Sequence, residues 1–191
     1  VVLLALAAAA GCSHKPPRTI FLVSIDTLRP ERLGVYGNTP DVSPRIDALA
    51  KDAVVFDQAL ANSPYTLPSH MTMLTGLDPV AHGVKRDGDI LSSRVTTLAE
   101  ALRQAGFQCG AFTDGGFVSA GYGFSQGFQV YQHPHSAVVP VNPPENPTIT
   151  ETSTDEGAVE AALEFLRING SRRWFLYLHL MDVHEYIYDE E

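Results

Sequence analysis

The most informative stretch of the chain is Thr66-Leu67-Pro68-Ser69-His70, followed by Leu74-Thr75-Gly76 and then by Ala81-His82-Gly83-Val84. Thr66 lies just ahead of a helix that the proline would start and Gly76 would end, which is the favoured placement of these two residue types. Because free N–H groups and the positive dipole end lie at a helix N-terminus, an anion bound there would face Thr66, a candidate nucleophile. The alternative is that Thr66 only caps the helix, as threonine commonly does.

A second informative segment lies upstream, where the apolar run of residues 19–25 ends in Asp26. A short, β-branched run bounded by breakers predicts a buried parallel strand. A carboxylate at the carboxyl end of such a strand lies at the edge where open α/β sheets bind ligands. Asp26 could instead cap the turn that follows the strand.

The rest of the chain predicts an α/β fold with a doubly wound, mostly parallel sheet. Thr97 and Glu100 form a capping-box pattern that opens a helix through Ala105, and residues 107–113 follow as a strand. A helix over residues 155–168 precedes a second buried strand over residues 174–178. Alternation of strands and helices is typical of a parallel sheet covered by helices. The apolar positions expected on one face of the later helix are Val159, Ala162, Leu163 and Leu166.

Several motifs, in order, resemble the opening of a sulfatase, a family of the alkaline-phosphatase-like superfamily. The matching segments are Ser24–Arg29, Leu33–Asn38, Ser43–Ala50 with Val55-Phe56, and Thr66–Val84. The resemblance covers residues 19–132 well and residues 172–189 more loosely. It implies the fold of that superfamily and the cleavage of sulfate or phosphate esters at a metal-bound nucleophile.

The resemblance also assigns roles to four residues. Thr66 stands at the nucleophile of the pattern Cys/Ser-x-Pro-x-Arg, and His70 stands at its arginine. His184, at the end of the segment His179–His184, matches the histidine that contacts the substrate anion. By this analogy Asp26 and Thr66 would contact the metal, Thr66 would attack sulfur or phosphorus, and His70 and His184 would bind the substrate and stabilise its charge.

Three departures from the family pattern leave the reaction open. Thr66 cannot become the formylglycine of sulfatases, although an unmodified threonine is the nucleophile in phosphate-ester branches of the superfamily. Asp26-Thr27 replaces an Asp-Asp pair, and Asp114–Phe117 replaces the segment Gly-Lys-x-His. We therefore weigh three hypotheses: a sulfuric ester hydrolase, a phosphate-ester or phosphonate hydrolase or phosphoryl-group transferase, and a non-catalytic surface lipoprotein on the same fold.

The expected cofactor is a divalent metal ion, with the remaining ligands downstream of the end of the chain, which we take to be truncated. Carboxylate and hydroxyl ligands favour calcium or magnesium, and zinc is possible if histidines join the site. The expected substrate is an anionic ester, either a small molecule or a glycan. The 22 acidic residues against 13 basic ones, a net charge of −9, argue against nucleic-acid binding. The oligomeric state is left open.

The N-terminus resembles a bacterial lipoprotein signal. We predict a signal peptide over residues 1–11, a lipidated Cys12 with a tether over residues 12–18, and the N-terminal part of a sulfatase-like catalytic domain over residues 19–191. The protein would be exported and held by its lipid on the periplasmic or cell-surface face of a membrane. Cys109 is then the only other cysteine, and it is predicted to be a buried apolar residue.

Overall fold

The structure is a computed structural model that describes residues 18–38, 42–114, 116–132 and 154–184. The predicted signal peptide, Cys12 and the tether up to residue 17 lie outside the described residues. The strands are β1 (Thr19–Ile25), β2 (Gln108–Thr113), β3 (Val130–Gln132) and β4 (Trp174–Leu180). The helices are α1 (Pro44–Ala50), α2 (Thr66–Thr75), α3 (Pro79–His82), α4 (Leu98–Gln104) and α5 (Thr154–Asn169). Among the helices in these ranges, none is long and apolar enough to cross a membrane.

The four strands form one parallel sheet in the order β1-β4-β2-β3. This confirms the predicted α/β class and the three predicted strands, and β3 is an additional short strand at one edge. The predicted burial of β1 is wrong: none of its residues is buried, because it is an edge strand that pairs only with β4 among the described strands. The register pairs Ser24 of β1 and Thr113 of β2 with His179 of β4. Consequently, the carboxyl ends of three adjacent strands meet at the same edge of the sheet.

Helices cover both faces of the sheet, as the doubly wound prediction required. Side chains alternate along a strand, so Tyr177 of β4 lies in a core with α2 and α4, whereas Leu176 and Leu178 lie in a second core with α5. Cys109 is fully buried in the first core, as predicted. The predicted apolar face of α5 is partly wrong. Val159 and Leu163 are exposed, and the buried residues of that helix are Ala158, Ala162 and Phe165.

The helix α2 begins earlier than the proline predicted. Its N-cap residue is Tyr65, Thr66 is its first residue, and Pro68 lies one position further in than Leu67. Pro68 removes no hydrogen bond there, because the first N–H groups of a helix have no partner within it. Gly76 ends the helix with a left-handed φ of 68°, as predicted.

Candidate active site

The candidate site lies where β1 and β4 end and α2 begins. Asp26 directly follows β1, and its backbone N–H donates to the carbonyl of Leu180 at 2.9 Å, which continues the pairing of the two strands. The first turn of α2 brings Thr66 and His70 to the same place. The site is thus built from the end of a sheet and the N-terminus of a helix, the location that the sequence predicted for Asp26 and Thr66.

Thr66 and Asp26 are in direct contact. The Thr66 hydroxyl Oγ1 donates to Asp26 Oδ2 at 3.2 Å, and the Asp26 side chain is buried. No side-chain hydrogen bond caps α2, so the alternative in which Thr66 only caps the helix is wrong. The hydroxyl instead faces the carboxylate, and the N-terminal N–H groups of α2 lie beside the pair.

His70 lies one turn further along α2 and is buried. Its Nδ1 is 2.9 Å from the carbonyl oxygen of Thr66, and because a carbonyl only accepts, Nδ1 carries the hydrogen in this contact. Burial lowers the pKa of His70, opposed by the Thr66 carbonyl and by Asp26. The neutral ring therefore presents Nε2 as an acceptor, and donation to a substrate anion from Nε2 would require the protonated ring.

His179 of β4 completes the cluster, although the sequence pattern did not predict it as a site residue. Its side chain is fully buried, Nδ1 is 2.8 Å from Ser24 Oγ, and Nε2 is 3.9 Å from Asp26 Oδ2. Its ring meets the ring of His70 edge to face with centroids 4.8 Å apart. Burial, together with the neighbouring His70, lowers the pKa of His179 to about 4 despite Asp26. The ring is therefore neutral near pH 7.

His184 lies apart from this cluster. It ends the 3-10 turn Asp182–His184 and is exposed. Within the described part of the chain, no hydrogen bond or ion pair joins its side chain to Asp26, Thr66 or His70. Its substrate-binding role stays a prediction, and the structure places it on the same sheet edge without bringing it into the buried group.

A neighbouring acidic cluster consists of Asp114, Asp155 and Asp182. The Asp155 carboxylate accepts from the backbone N–H groups of Met181 at 2.7 Å and Asp182 at 2.9 Å. These bonds hold the start of α5 against the chain leaving β4. Burial raises the pKa of Asp155. Since Asp155 already has these partners, the cluster has a structural explanation.

The buried group has the donors that a divalent cation needs. One carboxylate oxygen of Asp26 and one ring nitrogen each of His70 and His179 all lie within 4.8 Å of one another. The Thr66 hydroxyl lies beside them. Both rings are neutral near pH 7, which is the form of histidine that binds metals. The donor set therefore fits a divalent cation with mixed oxygen and nitrogen ligands.

Comparison with known proteins agrees with this fold. The family model described as Sulfatase matches residues 18–191. The chain is 26% identical over 168 residues to the Delta 4,5-hexuronate-2-O-sulfatase of Bacteroides thetaiotaomicron, covering 85% of this chain and 33% of that protein. This chain thus spans about a third of the length of that curated relative.

Two solved structures share the fold. A putative sulfatase from Bacteroides thetaiotaomicron superposes with a TM-score of 0.71 at 20% identity, covering 91% of this chain and 39% of that one. The phosphonate monoester hydrolase of Agrobacterium radiobacter gives a TM-score of 0.67 at 24% identity, covering 87% of this chain and 41% of that one. At these identities the likeness concerns the fold alone.

Proposed function

The chain belongs to the sulfatase family, and from that premise we propose that it carries the nucleophile and part of the metal site of a metal-dependent hydrolase of sulfuric esters. The observation that carries the proposal is the hydrogen bond from Thr66 Oγ1 to Asp26 Oδ2 at 3.2 Å. A hydroxyl at a helix N-terminus, in contact with a buried carboxylate, is the arrangement in which an alcohol is activated as a nucleophile.

Each residue has a specific part in this proposal. Asp26 directs the Thr66 proton towards itself, which leaves the oxygen lone pairs for attack on sulfur. A bond would form between Thr66 Oγ1 and sulfur while the bond from sulfur to the alcohol oxygen of the substrate breaks, and the proton from Thr66 would pass through Asp26 to that departing oxygen. Water would then cleave the sulfated Thr66, which releases sulfate and restores the hydroxyl. The chemistry that a divalent cation supplies at such a site is a lower pKa of the hydroxyl and withdrawal of charge from the ester. Asp26 and Thr66 would hold that cation.

The two remaining predicted residues act on the transferred group. His184, on the exposed turn at the same edge, would contact the anion of the substrate. His70 would do so only when protonated, because its neutral ring donates from Nδ1 to the Thr66 carbonyl. At neutral pH its Nε2 is suited to accept a proton or to bind a cation.

A second candidate function is cleavage of phosphate or phosphonate esters, or transfer of a phosphoryl group. Thr66 itself favours it, because the side-chain oxygen of threonine is on a carbon that also bears a methyl group. Oxidation there would give a ketone and not the formylglycine aldehyde. An unmodified alcohol is a competent nucleophile towards phosphorus. The shared fold with a phosphonate monoester hydrolase is compatible with this reaction.

We propose an anionic glycan as the substrate class, by analogy with the hexuronate sulfatase relative. The alternative substrate class, which the sequence also predicted, is a small anionic ester.

We also propose that the protein is exported and anchored to the membrane through a lipid on Cys12. Replacement of Cys12 by Ala should then move the protein from the membrane pellet to the soluble exported fraction. If the Cys12→Ala variant stays in the pellet, the anchor is not this cysteine.

The test of the proposed function is turnover by the full-length protein with Thr66→Ala, assayed on an aryl sulfate, an aryl phosphate and an aryl phosphonate. We expect a loss on the order of 10³-fold or more, because the attacking atom is removed. Ser69→Ala is the matched control, since it removes a hydroxyl from the same helix and should leave turnover near that of the wild type. Thr66→Ser should retain activity. Near-normal turnover by Thr66→Ala would overturn the proposal, and the preferred ester decides between the two candidate functions.

A further inference from the structure

We propose that His179 is a nitrogen ligand of the cation held by Asp26, and that His179 and His70 together make this site select a metal that accepts nitrogen, such as zinc, over calcium. The inference rests on the metal-binding role proposed for Asp26. It assigns a new role to His179 and replaces the preference for calcium or magnesium expected from carboxylate and hydroxyl ligands alone.

The first argument is the position of His179 Nε2. The side chain is fully buried, and this atom has no hydrogen-bond partner among the residues that the structure describes. Its distance of 3.9 Å to Asp26 Oδ2 is too long for a hydrogen bond. Two atoms that each bind one zinc ion at about 2.1 Å lie at most about 4.2 Å apart, so the separation suits a shared cation. A bound ion would satisfy both buried groups.

The second argument is the support behind the ring. Ser24 Oγ lies 2.8 Å from His179 Nδ1, and the buried Tyr177 hydroxyl lies 3.1 Å from Ser24 Oγ. Histidines that bind metals through one nitrogen donate the other N–H to a neighbouring oxygen, which fixes the tautomer and the orientation of the ring. When Nε2 binds a cation, Nδ1–H donates to Ser24 Oγ. The contacts already present therefore satisfy the ligating form of His179.

The third argument concerns His70, whose Nδ1, like that of His179, is held by a neighbouring oxygen. Its Nδ1–H donates to the Thr66 carbonyl, and this leaves the lone pair of Nε2 unused by that bond. His70, Asp26 and His179 form a group in which one ligand atom of each residue lies within 4.8 Å of those of the other two. Two imidazole nitrogens and one carboxylate form a three-ligand set typical of catalytic zinc, with a further position open for Thr66 or substrate. Calcium prefers six or more oxygen ligands.

The test uses the full-length protein and two measurements that do not depend on turnover. X-ray absorption at the zinc edge of the zinc-loaded protein should show two imidazole ligands. Competition with a chromophoric chelator should show that His179→Ala weakens zinc binding on the order of 100-fold while calcium binding changes little. Ser24→Ala should weaken zinc binding about 10-fold, because it removes the partner of Nδ1. His184→Ala, which changes an exposed histidine outside the cluster, should leave zinc affinity unchanged.

Two outcomes would overturn the proposal: a zinc edge with oxygen ligands only, or unchanged zinc affinity in both His179→Ala and Ser24→Ala. Circular dichroism without metal shows whether each variant is folded, and Ser24→Ala provides the binding data if His179→Ala is not. Asp26→Asn separates this inference from the proposed function. If it weakens binding and the histidine variants do not, only nitrogen ligation is wrong. If none of them changes binding, the metal-binding role of Asp26 is wrong as well.

Discussion

Thr66 Oγ1 donates a hydrogen bond of 3.2 Å to Asp26 Oδ2, which connects the N-terminus of α2 to the carboxyl end of β1. Each of these residues, taken alone, has a simpler explanation as a cap of a helix or of a turn. Together they place the half-buried Thr66 hydroxyl in contact with the carboxylate of Asp26, beside the buried side chains of His70 and His179. The pair is what makes this edge of the sheet a candidate active site.

The first prediction concerns Asp26→Asn. Asparagine keeps the shape of the side chain and can still accept from Thr66, but it removes the negative charge. Metal affinity should fall, and turnover should be partly restored by excess metal. Metal content by emission spectroscopy and turnover against metal concentration measure this. Asp57→Asn changes an exposed aspartate and is the matched control. Unchanged metal content in Asp26→Asn would show that Asp26 is not a ligand.

The fold could be predicted well because its signals are local. The apolar runs of β1, β2 and β4, the capping box at Thr97 and the stop at Gly76 each act within a few residues. The details of α5 depended on tertiary packing. Gly110 of β2 leaves room for the ring of Phe165, so α5 turns Phe165 and Ala158 inward and leaves Leu163 exposed. Periodicity alone does not contain that information.

The site could be predicted only in part, for a similar reason. Asp26 and Thr66 follow from a strand end and a helix start. His179 was placed just beyond the predicted strand, but β4 continues to Leu180. Within a strand, alternation places His179 on the same face as Tyr177, towards α2. If the predicted strand had been extended to Leu180, the alternation of its side chains would have placed His179 on the face of Phe175 and Tyr177.

The second prediction concerns the capping box of α4. Thr97 Oγ1 accepts from the N–H of Glu100 at 3.2 Å and donates to the carbonyl of Gln126 at 2.8 Å, and the side chain is buried. Thr97→Ala should lower the free energy of unfolding by about 1–2 kcal/mol. Urea unfolding measures this. Thr96→Ala, at the exposed neighbouring position, should have little effect, and equal stabilities of the two variants would contradict the role of the cap.

The third prediction concerns Gly110→Ala. A Cβ at this position would lie 2.8–3.0 Å from three ring carbons of Phe165, closer than packed carbons approach. The ring or α5 must move, so we expect a loss of about 1–3 kcal/mol in the free energy of unfolding. Gly121→Ala is the matched control, because its nearest neighbour would be Ser119 Oγ at 3.6 Å. A melting temperature of Gly110→Ala equal to that of the control would show that the sheet and α5 are not so closely packed.

The last prediction is that the metal-free protein loses stability as the pH falls below about 6.5. Burial lowers the pKa values of His70, His82 and His179, and that of His179 falls to about 4. Between that value and the ordinary pKa of 6.5, the unfolded chain binds a proton that the folded chain does not. Stability therefore rises with pH through this window and is lost on acidification.

His179 alone should contribute about 2 kcal/mol to the difference in unfolding free energy between pH 7 and pH 5. Urea unfolding at the two pH values, with a chelator present, measures this difference. His179→Gln removes the titrating ring while an amide can still hydrogen-bond to Ser24, so its stability should depend less on pH. Thr96→Ala changes an exposed position that carries no titrating group, and the pH dependence of its stability should match that of the wild type. If His179→Gln also keeps the wild-type pH dependence, the folded chain must accommodate a proton on His179, and the buried, neutral ring inferred from the structure would be wrong.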